Sequence, residues 1–219
     1  MKLMFRNLCL TAISAMLLTS CTHSPGSHSP TSTAEVAPGY QIPANIHYSE
    51  HWAPTPAVDL MSADGTFIRA FAEGDDVRLF NIDAAKGSYP GFDHANQTSR
   101  NNIGGGSDEY GFTTRWVSDF TNKPDNTASA TICTYSSINP QNEFLPFLVA
   151  DVLTYHRKGK EPPTNQKGPE RAPTVSVFGD WYATSYESIR TNPNSCTSDQ
   201  PPIDKSADST PGWTVKGGA

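Results

Sequence analysis

Residues 112–120 read FTTRWVSDF, and apolar and polar side chains alternate along this stretch. Alternation with a period of two is typical of a β-strand that has a core on one side. On this pattern Phe112, Trp116 and Phe120 share one face of the strand, and Arg115 lies on the other face with Val117. The stretch predicts a β-strand, and the segments on either side of it indicate the fold to which that strand belongs.

Three further strands are predicted after this one. Residues 129–138 are rich in β-branched side chains, which favour strands. Residues 147–157 begin apolar on both faces and are therefore expected at the centre of a sheet. Residues 174–186 form the last predicted strand, with Gly179 as a possible bulge. Loops rich in Asn, Pro, Asp and Gly separate these segments, so an antiparallel sheet is predicted over residues 110–187.

The segment before the strands has helical spacing instead. Thr66 has the chemistry of an N-cap, and apolar residues recur at helical intervals over 67–77. Gly74 interrupts this pattern, which leaves open whether the segment forms one helix or two short helices. A further short helix is predicted over 93–96, and residues 66–96 are therefore expected to be mainly helical.

Helices followed by a run of strands predict a single α+β domain. The spacing of apolar residues changes from helical to alternating near residues 101–106, which read NNIGGG. Over about residues 60–190 this order of elements resembles the cystatin-like or NTF2-like architecture. That resemblance implies N-terminal helices packed on the concave face of a curved antiparallel β-sheet, with a possible ligand pocket between them.

The N-terminus has the pattern of a secretory signal. Lys2 and Arg6 precede an apolar run at 8–18, LCLTAISAMLL, which is shorter than the roughly 20 residues that a membrane-spanning helix needs. The run ends in Leu18–Cys21, LTSC, which resembles the lipobox of bacterial lipoproteins. The resemblance implies cleavage before Cys21 and transfer of diacylglycerol, with chains such as palmitate, to its sulfur.

The predicted lipid makes the chain a secreted protein with a membrane anchor. Two or more acyl chains give stable attachment, whereas one gives only marginal binding. The expected location is the cell envelope, on the outer face of a bacterial membrane. The lipobox, the polar segment after it and the FGDW sequence at Phe178–Trp181 are similar to uncharacterised cell-envelope lipoproteins of actinobacterial type, a resemblance that implies no activity.

Composition divides the chain into four parts. Residues 1–20 are the signal peptide, and residues 21–39 are a Ser/Thr/Pro-rich tether that contains too few apolar residues to fold. Residues 40–198 are the globular domain. Residues 199–219 are predicted to be a loose polar C-terminal tail, in which Trp213 is the one residue that could pack back.

The chain is acidic, with 16 Lys and Arg against 22 Asp and Glu and a net charge of −6. Loss of the signal peptide removes two bases and takes the charge to −8. A protein of this charge is a poor partner for nucleic acid or for anionic lipid headgroups. The lipid is therefore expected to provide the membrane attachment, and no nucleic-acid partner is predicted.

Cysteine usage predicts one disulfide. Of the four cysteines, Cys9 leaves with the signal peptide and Cys21 carries the lipid. Cys133 and Cys196 remain as a pair in an oxidising compartment, where paired cysteines persist as disulfides. A Cys133–Cys196 bridge is therefore expected.

Patterns that might carry catalysis are weak in their context. Residues 47–51 match H-x-x-E-H, which binds zinc when it lies on a helix. Pro43 and the prolines at 54 and 56 disfavour that helix, so the expected state is a surface segment. Gly104–Gly106 lie next to Asp108 and Glu109, which would repel a phosphate. No cofactor, metal or catalytic residue is predicted.

Two groups of residues are candidate contact sites. The loop 158–173 is basic and could bind an acidic partner. The aromatic side chains of Trp116, Trp181 and Tyr182 could line a pocket, while Arg157 and Lys158 are contact candidates at the start of the basic loop. The sequence favours a non-enzymatic binding or interaction module for an envelope protein or ligand. The alternatives are a small-molecule binder or enzyme with an NTF2-like pocket, and a structural surface protein.

Overall fold

The computed structural model describes residues 39–83, 87–100, 107–138, 146–189 and 194–215. These residues belong to one compact unit with a single-sheet α+β fold. The elements in chain order are β1 (Ser49–Trp52), α1 (Ala63–Phe80), α2 (Phe92–Ala95), β2 (Gly111–Asn122), β3 (Thr127–Ile138), β4 (Phe147–His156), β5 (Tyr182–Ile189) and α3 (Asn194–Thr197).

The five strands form one mixed sheet in the order β1-β2-β3-β4-β5. Strands β2 to β5 are antiparallel neighbours, as the sequence predicts, whereas β1 pairs with β2 in parallel. The expectation of a wholly antiparallel sheet is therefore wrong at this edge. The prolines at 43 and 54 disfavour a helix between them, but they do not prevent a four-residue strand there. Proline is tolerated next to a strand at the edge of a sheet.

A bulge changes which face Phe120 occupies. Val117 pairs with Ile132 and Asp119 pairs with Thr131, so Ser118 has no partner in the β2–β3 ladder. One extra residue reverses the alternation beyond it. Phe120 packs against the main core, whereas Trp116 lies in a separate cluster on the other face. The predicted sharing of one face by these two aromatics is wrong for this reason.

The last strand begins eight residues later than predicted, at Tyr182. The residues before it are a loop whose apolar side chains fill the core, with Phe178 only 1% exposed. Gly179 has φ +59°, and a Cβ there would lie 2.2 Å from the Lys160 carbonyl oxygen. Glycine is thus needed for a tight turn and not for a strand bulge.

Helix α1 is continuous over Ala63–Phe80, so of the two alternatives left open by Gly74 the single helix is the one that forms. Its N-cap is Ser62, whose Oγ accepts from the Gly65 N–H, while Thr66 is fully buried inside the first turn. Gly74 lies within this continuous helix, at the point where α1 packs against α2. A Cβ at Gly74 would lie 2.6 Å from the Phe92 ring.

The segment predicted as a loose tail is packed on the domain over residues 204–213. Trp213 is 1% exposed and its Nε1 donates to Glu73 over 2.9 Å. Its backbone pairs with Glu170, and the guanidinium of Arg69 lies 4.4 Å from the Trp213 ring centroid. An aromatic anchor and a buried carboxylate therefore hold a segment whose composition is polar.

The predicted disulfide between Cys133 and Cys196 is confirmed, with 5.6 Å between their Cα atoms. It joins β3 to α3. Trp116 and Ala150, both fully buried, pack around it. We call this side of the sheet the outer face, and the opposite side, which contacts α1, the inner face.

Candidate functional site

The inner face of the sheet changes character along its length. One half is apolar and closed, and its members are all 0% exposed: Val117, Ala128, Ala130, Ile132, Leu153, Tyr155 and Ala183. We call it the packed half. The N-terminal part of α1 covers it, with the Phe67 ring 4.7 Å from the Tyr155 ring and the Phe71 ring 5.4 Å from the Tyr186 ring. This half is an ordinary hydrophobic core.

The other half of the inner face is polar, and we call it the open half. Cross-strand register places Arg115 beside Thr134, and Thr113 beside Ser136, all on this face. Asp151 follows on β4, opposite Ser188 of β5. The strands continue with the same period of two, so the change is in residue type and not in geometry.

A cavity of about 180 Å³ lies between the open half and the C-terminal part of α1. We call it the inner-face cavity. Its lining combines charged, hydroxyl and apolar side chains: Asp76, Leu79, Phe80, Arg100, Arg115, Thr134, Ser136, Ile138, Phe147, Val149, Asp151, Tyr186 and Ser188. A volume equivalent to about six waters suits a small molecule.

Arg115 joins the strand, the helix and β1 at the floor of the cavity. Its Nη1 donates to Glu50 and its Nη2 donates to Asp76. Burial raises the pKa of Glu50 to about 7, although Arg115 and Arg171 oppose that rise. Breaking such a buried pair by removing one partner is costly, because the remaining charge is left unpaired.

A second arginine closes the side of the cavity. Arg100 Nε lies 3.2 Å from Asp75 Oδ2, and Arg100 Nη1 lies 3.5 Å from Asp151 Oδ1. Its guanidinium stacks 4.8 Å from the centroid of the Tyr186 ring. Ser188 Oγ donates to the same Asp151 oxygen over 2.5 Å. Asp151 is thus held in place from two sides.

The electrostatics of the cavity leave Asp76 imperfectly compensated. Burial raises the pKa of Asp76, the Arg115 guanidinium opposes the rise, and Asp151 adds to it. Carboxyl groups with raised pKa values in a cavity are common at functional sites. The cavity is therefore the best candidate for a ligand site among the residues that the structure describes.

The pocket residues predicted from the sequence do not form one site. Trp116 is fully buried on the outer face, against the disulfide. Arg157 and Trp181 line an open cleft of about 650 Å³ at the N-terminal end of α1, which we call the end cleft. Lys158 and Tyr182 line a smaller pocket of about 340 Å³ next to it, and the two share Gly159. Trp116 is therefore separated from the other four.

The end cleft is occupied by a structural ion pair. Arg157 Nε donates to Asp64 Oδ1 over 2.8 Å, and the Tyr155 hydroxyl donates to the same oxygen. Trp181 is 3% exposed and stacks on Tyr155 as part of the core. These contacts tie the start of α1 to the sheet.

The basic loop 158–173 is not a freely solvated surface. Arg171 reaches inward, where its Nη2 lies 3.3 Å from Glu50 Oε1 and its Nη1 lies 3.6 Å from Glu73 Oε2. The Gln166 carbonyl accepts from Arg69 over 2.8 Å. Arg171 and the Gln166 carbonyl therefore tie this loop to the ionic core, a structural role that its basic composition does not predict.

The H-x-x-E-H string at 47–51 is not helical: Ser49–His51 are buried in β1, whereas His47 is exposed just before the strand. Alternation on β1 sends Glu50 towards Arg115 and His51 to the opposite side. His47 instead stacks on Tyr110, with ring centroids 4.5 Å apart. Within the described ranges, no three His, Cys, Asp or Glu side chains are grouped so as to hold a metal ion.

Ser49, His51 and Asp204 are connected like a nucleophile, base and orienting acid. Ser49 Oγ lies 2.8 Å from His51 Nε2, and His51 Nδ1 lies 3.3 Å from Asp204 Oδ2. However, Ser49 is 4% exposed and its hydroxyl donates to the Ser206 carbonyl over 2.7 Å. Burial lowers the pKa of His51, and Asp204 opposes that shift. The group fastens the C-terminal segment to β1.

The sequence reading overlooked the residues that build the cavity. No role is predicted from the sequence for Asp75, Asp76 or Arg115. One signal was available, since Asp151 interrupts the apolar run at 147–153. A charge in such a strand requires a buried partner.

Comparisons of the chain with protein-family models, with curated proteins and with solved structures find no match. No relative therefore supplies a function for the cavity. Separately, no helix within the described part of the chain is long and apolar enough to cross a membrane. Cys21 and the lipobox lie outside the described residues.

Proposed function

We propose that the chain is a lipid-anchored protein of the bacterial cell envelope whose domain binds a small molecule in the inner-face cavity without converting it. The anchor is inferred from the lipobox at Leu18–Cys21, which follows a short apolar run and precedes a Ser/Thr/Pro-rich tether. A tethered domain of this kind can present a binding site away from the membrane surface.

The order of elements supports a cystatin-like or NTF2-like architecture as part of this proposal. Helix α1 precedes the four antiparallel strands in the chain, and its aromatic side chains contact only one face of them. A helix laid across one face of a meander leaves room for a ligand wherever the facing side chains are small or polar.

The observation that carries the binding proposal is a set of cavity-lining hydroxyl groups that make no hydrogen bond within the described part of the chain. Thr134, Ser136 and Tyr186 line the cavity and are 6%, 3% and 6% exposed. Their hydroxyl groups make no hydrogen bond to any residue that the structure describes. Hydroxyl groups that line a cavity and keep their hydrogen-bonding capacity are available to fix the orientation of a ligand.

Catalysis by Asp76 is the second candidate. Its raised pKa and its place in the cavity are the features that favour it. Both carboxylates of the cavity are paired with arginines, however, and such pairing suits recognition groups that are held in a fixed orientation. Incubating the protein with each ligand that binds and following the ligand by mass spectrometry distinguishes these functions, because conversion would favour catalysis.

The anchor is tested by changing the lipobox cysteine. Cys21→Ala should remove the acyl mass from the protein and release it from the membrane fraction. Cys9→Ala, which changes the other cysteine of the signal region, is the matched control and should leave both properties intact. Equal membrane attachment of the Cys21→Ala protein without an acyl adduct would disprove the anchor.

The cavity is tested by filling it. The soluble form for this purpose is residues 21–219 with Cys21→Ser, which contains every described residue. Fragments of suitable size are screened by their effect on amide NMR signals, and hits are repeated with Ser136→Met and Ser137→Met. These neighbours point to opposite faces of β3. Hits should be lost only with Ser136→Met; hits indifferent to it, or no hits, would contradict the proposal.

A further inference from the structure

Each of the two carboxylates of the inner-face cavity has one oxygen that accepts no hydrogen bond from the described residues. Asp76 accepts from Arg115 through Oδ2, and Asp151 accepts from Ser188 through Oδ1, which also lies 3.5 Å from Arg100 Nη1. Oδ1 of Asp76 and Oδ2 of Asp151 accept no hydrogen bond from any residue in the described part of the chain. Ionised carboxylates have about four lone-pair sites, so these oxygens can accept strong donors.

The arginines of the cavity, unlike the carboxylates, have few hydrogen-bonding groups free for a ligand. Arg115 divides its two Nη groups between Glu50 and Asp76, and its unpartnered Nε is buried away from solvent. Arg100 is shared by Asp75 and Asp151, and only its Nη2 makes no described contact. Each guanidinium is thus already matched by two carboxylates.

The hydroxyl groups of the cavity are consistent with a ligand that donates. Thr134, Ser136 and Tyr186 can all accept a hydrogen bond, and all three are more than nine-tenths buried. They line the same space as the free oxygens of Asp76 and Asp151. A ligand group with several N–H donors and a positive charge satisfies more of these atoms than an anion or a neutral group does.

An apolar side of the cavity provides room for the remainder of such a ligand. Ile138 and Val149 line it, together with Leu79 and Phe80 from α1. Phe147 stands at the rim with 53% of its surface exposed. A short hydrocarbon body would cover this surface and gain about 25 cal/mol for each Å² of apolar area removed from water.

We infer that the inner-face cavity binds a small organic cation, a primary amine on a short apolar body, whose ammonium group is held by Asp76 and Asp151. This inference rests on the proposed binding function and adds the chemical class of the ligand. An ammonium carries three donors and no acceptor, which matches the excess of acceptors in the cavity.

The electrostatics of the cavity agree with this assignment. Asp76 has a raised pKa, and Asp151 contributes to that rise. An ammonium near both carboxylates would offset their repulsion and lower the pKa of Asp76. Binding is therefore expected to weaken when the pH falls far enough to protonate Asp76, while the amine itself stays charged.

The test uses three probes of the same length and different charge: hexylamine, hexanol and hexanoate. Each is titrated into the soluble 21–219 protein by calorimetry at neutral pH. Hexylamine should bind about tenfold or more tightly than hexanol, as a hydrogen bond to a charged group predicts, and hexanoate should bind most weakly. The comparison is made on a protein with no change in the cavity, so it decides the inference even where a cavity variant fails to fold.

Two variants locate the charge effect. Asp151→Asn keeps an acceptor for Ser188 and should lower hexylamine affinity about tenfold, leaving hexanol unchanged. Asp64→Asn, in the end cleft, is the matched control and should change neither affinity. Tighter binding of hexanol or hexanoate that Ser136→Met abolishes would overturn the amine assignment and keep the binding function. Failure of all three probes to bind at a site sensitive to Ser136→Met would overturn both.

Discussion

The packed half and the open half of the inner face belong to the same strands and the same ladder, yet they are built differently. In the packed half Phe67 and Phe71 of α1 close on alanine, branched aliphatic and tyrosine side chains that are fully buried. In the open half Asp76 and Arg115 face each other beside a cavity. The first half excludes water, and the second keeps polar groups available.

This difference separates the residues that stabilise the fold from those that are available for a ligand. Apolar packing contributes free energy in proportion to the area buried, so the packed half should dominate stability. The ion pairs of the open half gain less, because desolvation of the charges offsets their attraction. The following changes test that division of roles.

The largest effect is expected from Phe67→Ala in the packed half. Phe67 is 0% exposed and contacts the rings of Tyr155 and Phe178, so its removal leaves a cavity in the core. We expect a loss of about 3–5 kcal/mol in the free energy of unfolding, measured by urea denaturation. Phe147→Ala, the same change at the exposed rim of the open half, should cost less than about 1 kcal/mol. Equal losses of unfolding free energy in the two variants would contradict the claim that the packed half dominates stability.

Loss of the disulfide should separate stability from binding. The double change Cys133→Ala and Cys196→Ala opens a loop with a sequence separation of 63 on the outer face. Disulfides that close such loops contribute about 2–4 kcal/mol. Urea denaturation should show a loss of this size, while calorimetry should show unchanged hexylamine affinity. A large drop in affinity would mean that the open half depends on the outer face.

Glu50→Gln should alter how stability depends on pH. The pKa of Glu50 is raised from 4.5 to about 7 in the folded state, so folding favours its protonated form. The free energy of unfolding that protonated Glu50 contributes is therefore fully present below pH 4.5 and is lost as the pH rises through about 7. From pH 5 to 8 the wild-type protein should lose about 1–3 kcal/mol relative to Glu50→Gln, by urea denaturation at each pH. A constant difference between the two proteins would contradict a raised pKa.

The smallest effect on stability is expected from Ser136→Ala in the open half. Its hydroxyl makes no described hydrogen bond, so the free energy of unfolding should change by less than about 0.5 kcal/mol. Hexylamine affinity should nevertheless fall about threefold, the range of one neutral hydrogen bond. A loss above about 2 kcal/mol without any change in affinity would assign Ser136 to the core and not to the cavity.

The sequence predicted the features that depend on local pattern. The α+β class, the positions of β2, β3 and β4 and the Cys133–Cys196 disulfide all follow from periodicity or from cysteine counting. These features need no knowledge of distant contacts.

The features that the sequence did not predict depend on tertiary partners. Ser118 looks like any polar strand residue, and only the register with β3 shows that it is a bulge that turns Phe120 inward. Trp213 lies in a polar segment, and its burial depends on Glu73, which is 140 positions earlier in the chain. Arg115 has the pattern of a solvent-facing residue, because single-sequence alternation cannot show that Glu50 and Asp76 meet it inside.

A structure of the 21–219 protein with hexylamine bound tests the central claim most directly. The account predicts the amine nitrogen in the inner-face cavity, about 2.7–3.2 Å from a carboxylate oxygen of Asp76 and of Asp151, with the alkyl chain along Ile138 and Val149. An amine seated on another surface, or a cavity that stays filled with water at saturating amine, would contradict it.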